Sequence, residues 1–151
     1  MSRRKVPDFL YEDLSYKIRG CAFRVYNALG FGHKENIYCE ALKSEFEKEG
    51  IQLEREKALP VFYQGKKVGT YRPDFIIENK ILIEIKAVSF MPQNYETQLT
   101  YYLKGTDYKL GFLINFGSRR LDIRRRVWTP SYQRESAINQ RQSVINPCEF
   151  V

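Results

Sequence analysis

Residues 71–86, YRPDFIIENKILIEIK, constrain the fold more than any other stretch of the chain. Two apolar runs flank Glu78, Asn79 and Lys80, and so short a link forces an antiparallel hairpin. The same stretch carries Asp74, Glu84 and Lys86, charged groups that are costly to desolvate without partners. Strand side chains alternate, so Glu84 and Lys86 share a face with Leu82, while Ile81, Ile83 and Ile85 fill the other. Asp74 stands four residues before the turn and Glu84 four residues after it. The hairpin therefore sets them opposite each other, with Cβ atoms about 5 Å apart. Carboxylates that close repel unless a cation lies between them. Hard oxygen ligands on a rigid sheet suit Mg²⁺, and Lys86 is placed to act on a phosphate bound to the same ion. The plain alternative is a solvated strand face for Glu84 and Lys86, with a turn acid beside Pro73.

The rest of the chain supplies the layers for that hairpin. Leu10, Leu14, Ile18, Val25 and Leu29 have near-helical spacing across 8–29, with Asp8 as the expected N-cap. Gly30-Phe31-Gly32 breaks this helix. A second is expected over 35–49, burying Ile37, Leu42 and Phe46 and ending at Gly50. A β-meander follows, with strands over 59–63, 67–77 and 81–87. Pro92 opens a helix that Gly105 ends. Strands over 109–116 and 121–128 complete the order α-α-β-β-β-α-β-β. This order predicts an α/β fold with helices flanking a mixed central sheet.

No apolar run approaches the roughly 20 residues a membrane span needs, and no secretory signal is read at the N-terminus. Cys21, Cys39 and Cys148 form no CxxC pair. Reduced thiols in a cytoplasmic protein are expected, and a cysteine zinc site is not. A net charge of +7 favours a polyanionic partner.

Further motifs adjoin the acids. Gly32-His33-Lys34-Glu35-Asn36-Ile37-Tyr38 enters the second helix, with Glu35 and Tyr38 one turn apart. Glu35 could equally serve only to complement the helix dipole. Gln98 and Tyr102 align at i, i+4 on the third helix, where Tyr102 could equally be core. Arg119, Arg120, Arg124, Arg125 and Arg126 surround a single acid, Asp122, near the last strand. Alternation puts Arg120, Arg124 and Arg126 on one face. They offer phosphate contacts, or else a charged edge that resists aggregation. Lys66, Lys67 and Arg72 extend the basic surface. Exposed tyrosines, among 11 in the chain, could stack on unpaired bases. His33 is read as an exposed loop residue.

Together these motifs resemble the GxxExxY family, a branch of the PD-(D/E)xK nuclease superfamily. The resemblance spans roughly residues 12–128. It rests on Gly32 to Tyr38, on Pro73-Asp74 followed by Glu84-Ile85-Lys86, and on Gln98 to Tyr102. It implies a restriction-endonuclease-like core with a central four-stranded mixed sheet. By resemblance, Asp74 and Glu84 hold Mg²⁺ or Mn²⁺, Glu35 adds a ligand directly or through water, and Lys86 assists the attack. Gln98 and Tyr102 order the site or contact substrate. Residues 1–128 are thus read as one nuclease-like domain and 129–151 as a polar C-terminal tail.

The expected function is metal-dependent hydrolysis of phosphodiester bonds, in DNA, with Arg72, Arg120, Arg124 and Arg126 contacting the nucleic acid. No membrane partner is expected, and the tail leaves room for a homodimer. The rival reading is a non-catalytic nucleic-acid-binding or assembly module of a repair or defence complex.

Overall fold

Pro73 decides how the middle of the chain folds. A computed structural model describes residues 10–129, and the expected Asp8 cap and the segment 130–151 lie outside that range. The chain runs through α1 (Glu12–Leu29), α2 (Glu35–Lys48), β1 (Leu53–Arg55), β2 (Leu59–Tyr63), β3 (Lys66–Tyr71), β4 (Phe75–Ile77) and β5 (Ile81–Lys86). It continues through α3 (Gln93–Gly105), β6 (Leu110–Asn115) and β7 (Asp122–Val127). The expected strand over 67–77 is broken at residues 72–74. Proline lacks the N–H a central strand needs and restricts the residue before it. The piece before the break pairs only with β2, as a separate two-stranded sheet.

The piece after the break joins a five-stranded sheet in the order β1-β4-β5-β6-β7. One strand more than expected is present because β1, a three-residue strand, pairs with β4. The β5–β6 pair is parallel and the other three pairs are antiparallel, so the sheet is mixed. Both tight hairpins carry positive φ at two successive turn residues, Gln64-Gly65 and Glu78-Asn79, the primed-turn geometry that suits twisted strands. The Glu78 backbone N–H donates to Gln52 O at 2.9 Å, and its carboxylate accepts from Gln52 N–H at 2.8 Å. These bonds hold it in a conformation uncommon for glutamate.

Alternation in β5 sorts the core as expected. Ile81, Ile83 and Ile85 join Phe112 and Ile114 in a buried cluster with Ile18, Val25, Leu42 and Phe46 of α1 and α2. Leu82 faces the other layer, where it packs with Leu59, Tyr71, Ile76 and Leu103. Ile37 departs from expectation at 43% exposed. α3 packs close to the sheet at Gly111, where an added Cβ would lie 2.9 Å from Leu99 Cδ1.

Candidate active site

Asp74 sits where the β4 ladder stops. The pairing of Phe75 with Ile83 and Ile77 with Ile81 continues outward to put Asp74 opposite Glu84. One step further the register reaches Pro73 and Ile85. The Ile85 N–H donates instead to Asp74 Oδ2, at 2.7 Å. The Asp74 carbonyl accepts from Arg55 Nε at 3.1 Å, while the Arg55 guanidinium lies 4.8 Å from the Phe75 ring centre and pairs with Glu40. Backbone and side chain of Asp74 are thus both fixed.

Glu84 is held from the other layer. Tyr71 Oη donates to Glu84 Oε1 at 2.5 Å. The Tyr71 ring stacks on Tyr102 at 3.5 Å between centroids, and Gln98 Nε2 donates to Tyr102 Oη at 3.3 Å. The Gln98–Tyr102 pair therefore reaches the acids through Tyr71. Lys86 extends from the same face of β5, its ammonium 4.6 Å from the centre of the Tyr95 ring, a distance that favours a cation–π contact.

The GHKENIY segment divides its labour. Gly32 has φ +104°, a conformation side chains rarely adopt. Tyr38 is fully buried, donates to Gly30 O at 2.6 Å, accepts from His33 N–H at 3.2 Å and stacks on Phe116. It fastens the loop. His33 is exposed, with Nε2 3.0 Å from Leu29 O. Glu35 opens α2 and interacts electrostatically with Asp74 and Lys86.

The charges couple strongly. Burial and then the Asp74 charge push Glu84 up to about 7, against the pull of Tyr71 and Lys86. Burial also raises Asp74, outweighing the Ile85 hydrogen bond and the Lys86 and Arg55 charges. Glu35 is raised by burial and by Asp74, with Lys86 opposing. The protein engages one oxygen of Asp74 and one of Glu84, which leaves a second oxygen on each to face a cation. Two facing carboxylates whose ionisation is resisted suit a divalent ion. Among the described residues, no three His, Cys, Asp or Glu side chains already form a ligand set. Glu35 is therefore not gathered with the other two into a preformed nest.

Two expected phosphate ligands are otherwise engaged. Arg124 pairs with Asp122 at 2.8 Å and with Glu96 of α3, and Arg126 also pairs with Glu96. They brace β7 against α3, so the two guanidinium groups expected at nucleic acid are already engaged by carboxylates. Arg120 falls in the turn before β7, outside the strand alternation, and is exposed, as is Arg72. Cys21 and Cys39 are buried free thiols, and burial pushes Cys39 up to about 12.

Tyr71, Arg55, Tyr95 and Glu96 are the contributors that sequence reasoning missed. Tyr71 was not singled out, since in an unbroken strand over 67–77 it would face away from Asp74. The signal lay in Pro73, which resets the alternation. For Glu96 the signal was five arginines against one local acid.

The fold and site define a class: a mixed α/β sheet flanked by helices, with opposed acids and a lysine on adjacent central strands. A sequence model described as the PD-(D/E)XK nuclease superfamily matches residues 12–127. The chain belongs to that superfamily, whose members are typically nucleases. Comparisons with curated proteins and with solved structures gave no match.

Proposed function

We propose that this protein is a metal-dependent nuclease that hydrolyses phosphodiester bonds in DNA, and that it belongs to the GxxExxY branch. The observation that carries the reading is Asp74 opposed to Glu84 across β4 and β5, with Lys86 on the Glu84 face. Asp74 and Glu84 would hold Mg²⁺ or Mn²⁺, with Glu35 reaching it directly or through water. Such an ion polarises the phosphoryl group and acidifies the attacking water. The chain's own residues do the rest. Ile85 N–H and Tyr71 Oη orient one oxygen of each acid. The Lys86 ammonium stands ready to offset charge that develops on the phosphate. Gln98 and Tyr102 keep Tyr71 in place. Arg72 and Arg120 supply exposed cations for the phosphate backbone.

Labelled single- and double-stranded DNA and RNA, incubated with Mg²⁺, Mn²⁺ or chelator, test this. Metal-dependent cutting of DNA that disappears in the double variant Glu84→Ala, Lys86→Ala is expected. Salt-sensitive binding without cutting, equal in both proteins, would replace the nuclease with a non-catalytic nucleic-acid-binding module.

A further inference from the structure

The β2–β3 hairpin is a sheet of its own whose root packs on the central sheet through Leu59 and Tyr71, and its tip is unlike an ordinary solvated turn. Phe62, Tyr63 and Val68 are 54%, 64% and 59% exposed. In the register, Phe62 pairs with Lys67 and Tyr63 with Lys66, next to a bulge after Val61. Cross-strand partners share a face, so each exposed ring is set beside a lysine. Residues 57–72 contain no acid. Lys66, Lys67 and Arg72 have no ion-pair partner among the described residues, whereas Lys57 pairs with Glu54. A cleft of about 510 Å³ adjoins the hairpin, lined by Phe62, Tyr108, Lys80 and Lys109 against one acid, Asp107.

The root of the hairpin is part of the active site. Tyr71 ends β3 and holds Glu84, and Arg72 and Pro73 lead directly to Asp74. From Tyr71 to Lys66 the strand spans roughly 17 Å, about five nucleotide steps of a stacked strand. Rings beside cations are how proteins hold unpaired bases and their phosphates together.

We infer that the β2–β3 hairpin and the cleft beside it bind an unpaired strand of nucleic acid about five nucleotides from the bond cut at Asp74 and Glu84. The inference deepens the nuclease reading and rests on its substrate class. The two ring–lysine pairs lie on opposite faces of the hairpin end: Phe62, with Lys67 beside it, stacks a base on the cleft side, and Tyr63, with Lys66, takes the next where the strand rounds the tip.

Fluorescence anisotropy in chelator tests it without any cleavage. The probes are labelled 20-nucleotide single-stranded DNA, the same sequence as RNA, and a 20-base-pair duplex. The variant Phe62→Ala, Tyr63→Ala should bind single strands at least about tenfold more weakly and change duplex binding little. Lys66→Ala, Lys67→Ala should flatten the slope of log affinity against log salt by about 1.4. Lys17→Ala, an exposed charge on α1, serves as the control. All these positions are exposed, so melting temperatures should stay near wild type and confirm folding. The DNA and RNA arms identify which strand is held.

Unchanged single-strand binding in the ring variant would overturn the inference, and so would an equal loss on duplex. Sedimentation showing a dimer that the ring variant dissolves, with binding intact, would make the hairpin a contact between copies instead. Cutting by a wild type whose ring variant binds normally refutes the hairpin alone. Binding that depends on the hairpin, in a protein that never cuts, refutes the nuclease alone.

Discussion

Glu84 links the site's chemistry to the stability of the fold. Its carboxyl ionises near 7 rather than at the ordinary 4.5, because burial and Asp74 disfavour the charge. The folded chain therefore keeps a proton that the unfolded chain has released. That contribution is full below about 4.5 and is lost as pH rises through about 7. In chelator, Glu84→Gln should be more stable than wild type at pH 8, by roughly 1–3 kcal/mol, with the gain fading toward pH 4.5. Thermal melts across pH check this, and a pH-independent difference would contradict it. Mg²⁺ should raise the wild-type melting temperature more at pH 8 than at pH 5.5, since ligand carboxylates must be ionised. Tyr71 pulls Glu84 downward, so Tyr71→Phe should raise the Glu84 pKa further while keeping the stack on Tyr102. Carboxyl NMR titration of the metal-free protein reads the shift, and an unchanged midpoint would remove Tyr71 from the account.

Elements show what local pattern reveals and where it stops. The β4–β5 hairpin was legible because Glu78-Asn79-Lys80 separates two apolar runs, and its register follows from that turn. The opposition of Asp74 and Glu84 followed with it. β1 was not legible, since three residues carry no periodicity and its pairing with β4 is a long-range choice. Tyr71 was hidden by the break at Pro73. The arginines of β7 were visible, but their partner Glu96 lies on α3, beyond any local window. Arg124→Ala should therefore act as the loss of a half-buried ion pair, costing about 1–3 kcal/mol in a denaturant melt. It should leave the salt dependence of nucleic-acid binding unchanged, and a flatter salt slope would restore Arg124 to the substrate surface. Gly117 shows the same dependence on distant packing. An added Cβ there would lie 2.2 Å from Val88 N, in the loop after β5 that Asn115 pins through Val88, while Asn115 Oδ1 also accepts from the Gly117 N–H after β6. Gly117→Ala should cost about 1–3 kcal/mol and slow cleavage by displacing the end of β5.

At the scale of the whole molecule, the sheet divides the work between its faces. α1 and α2 bury the isoleucine face of β5 and deliver Glu35 from the α2 N-terminus. α3 and the β2–β3 hairpin cover the other face and bring Tyr71, Tyr95, Gln98 and Tyr102 toward Glu84 and Lys86. Glu84 and Lys86 thus stand on β5 with Asp74 opposite, and a charge of +7 favours a polyanionic partner. On the proposed function, Asp74 and Glu84 act as one metal-dependent unit. The most direct test is the rate of DNA cleavage in Mg²⁺ or Mn²⁺ by wild type, Asp74→Asn, Glu84→Gln and the double variant. Each single change should slow cleavage at least about a hundredfold, and the double should be little slower than either. Cleavage by Glu84→Gln at the wild-type rate would contradict the account.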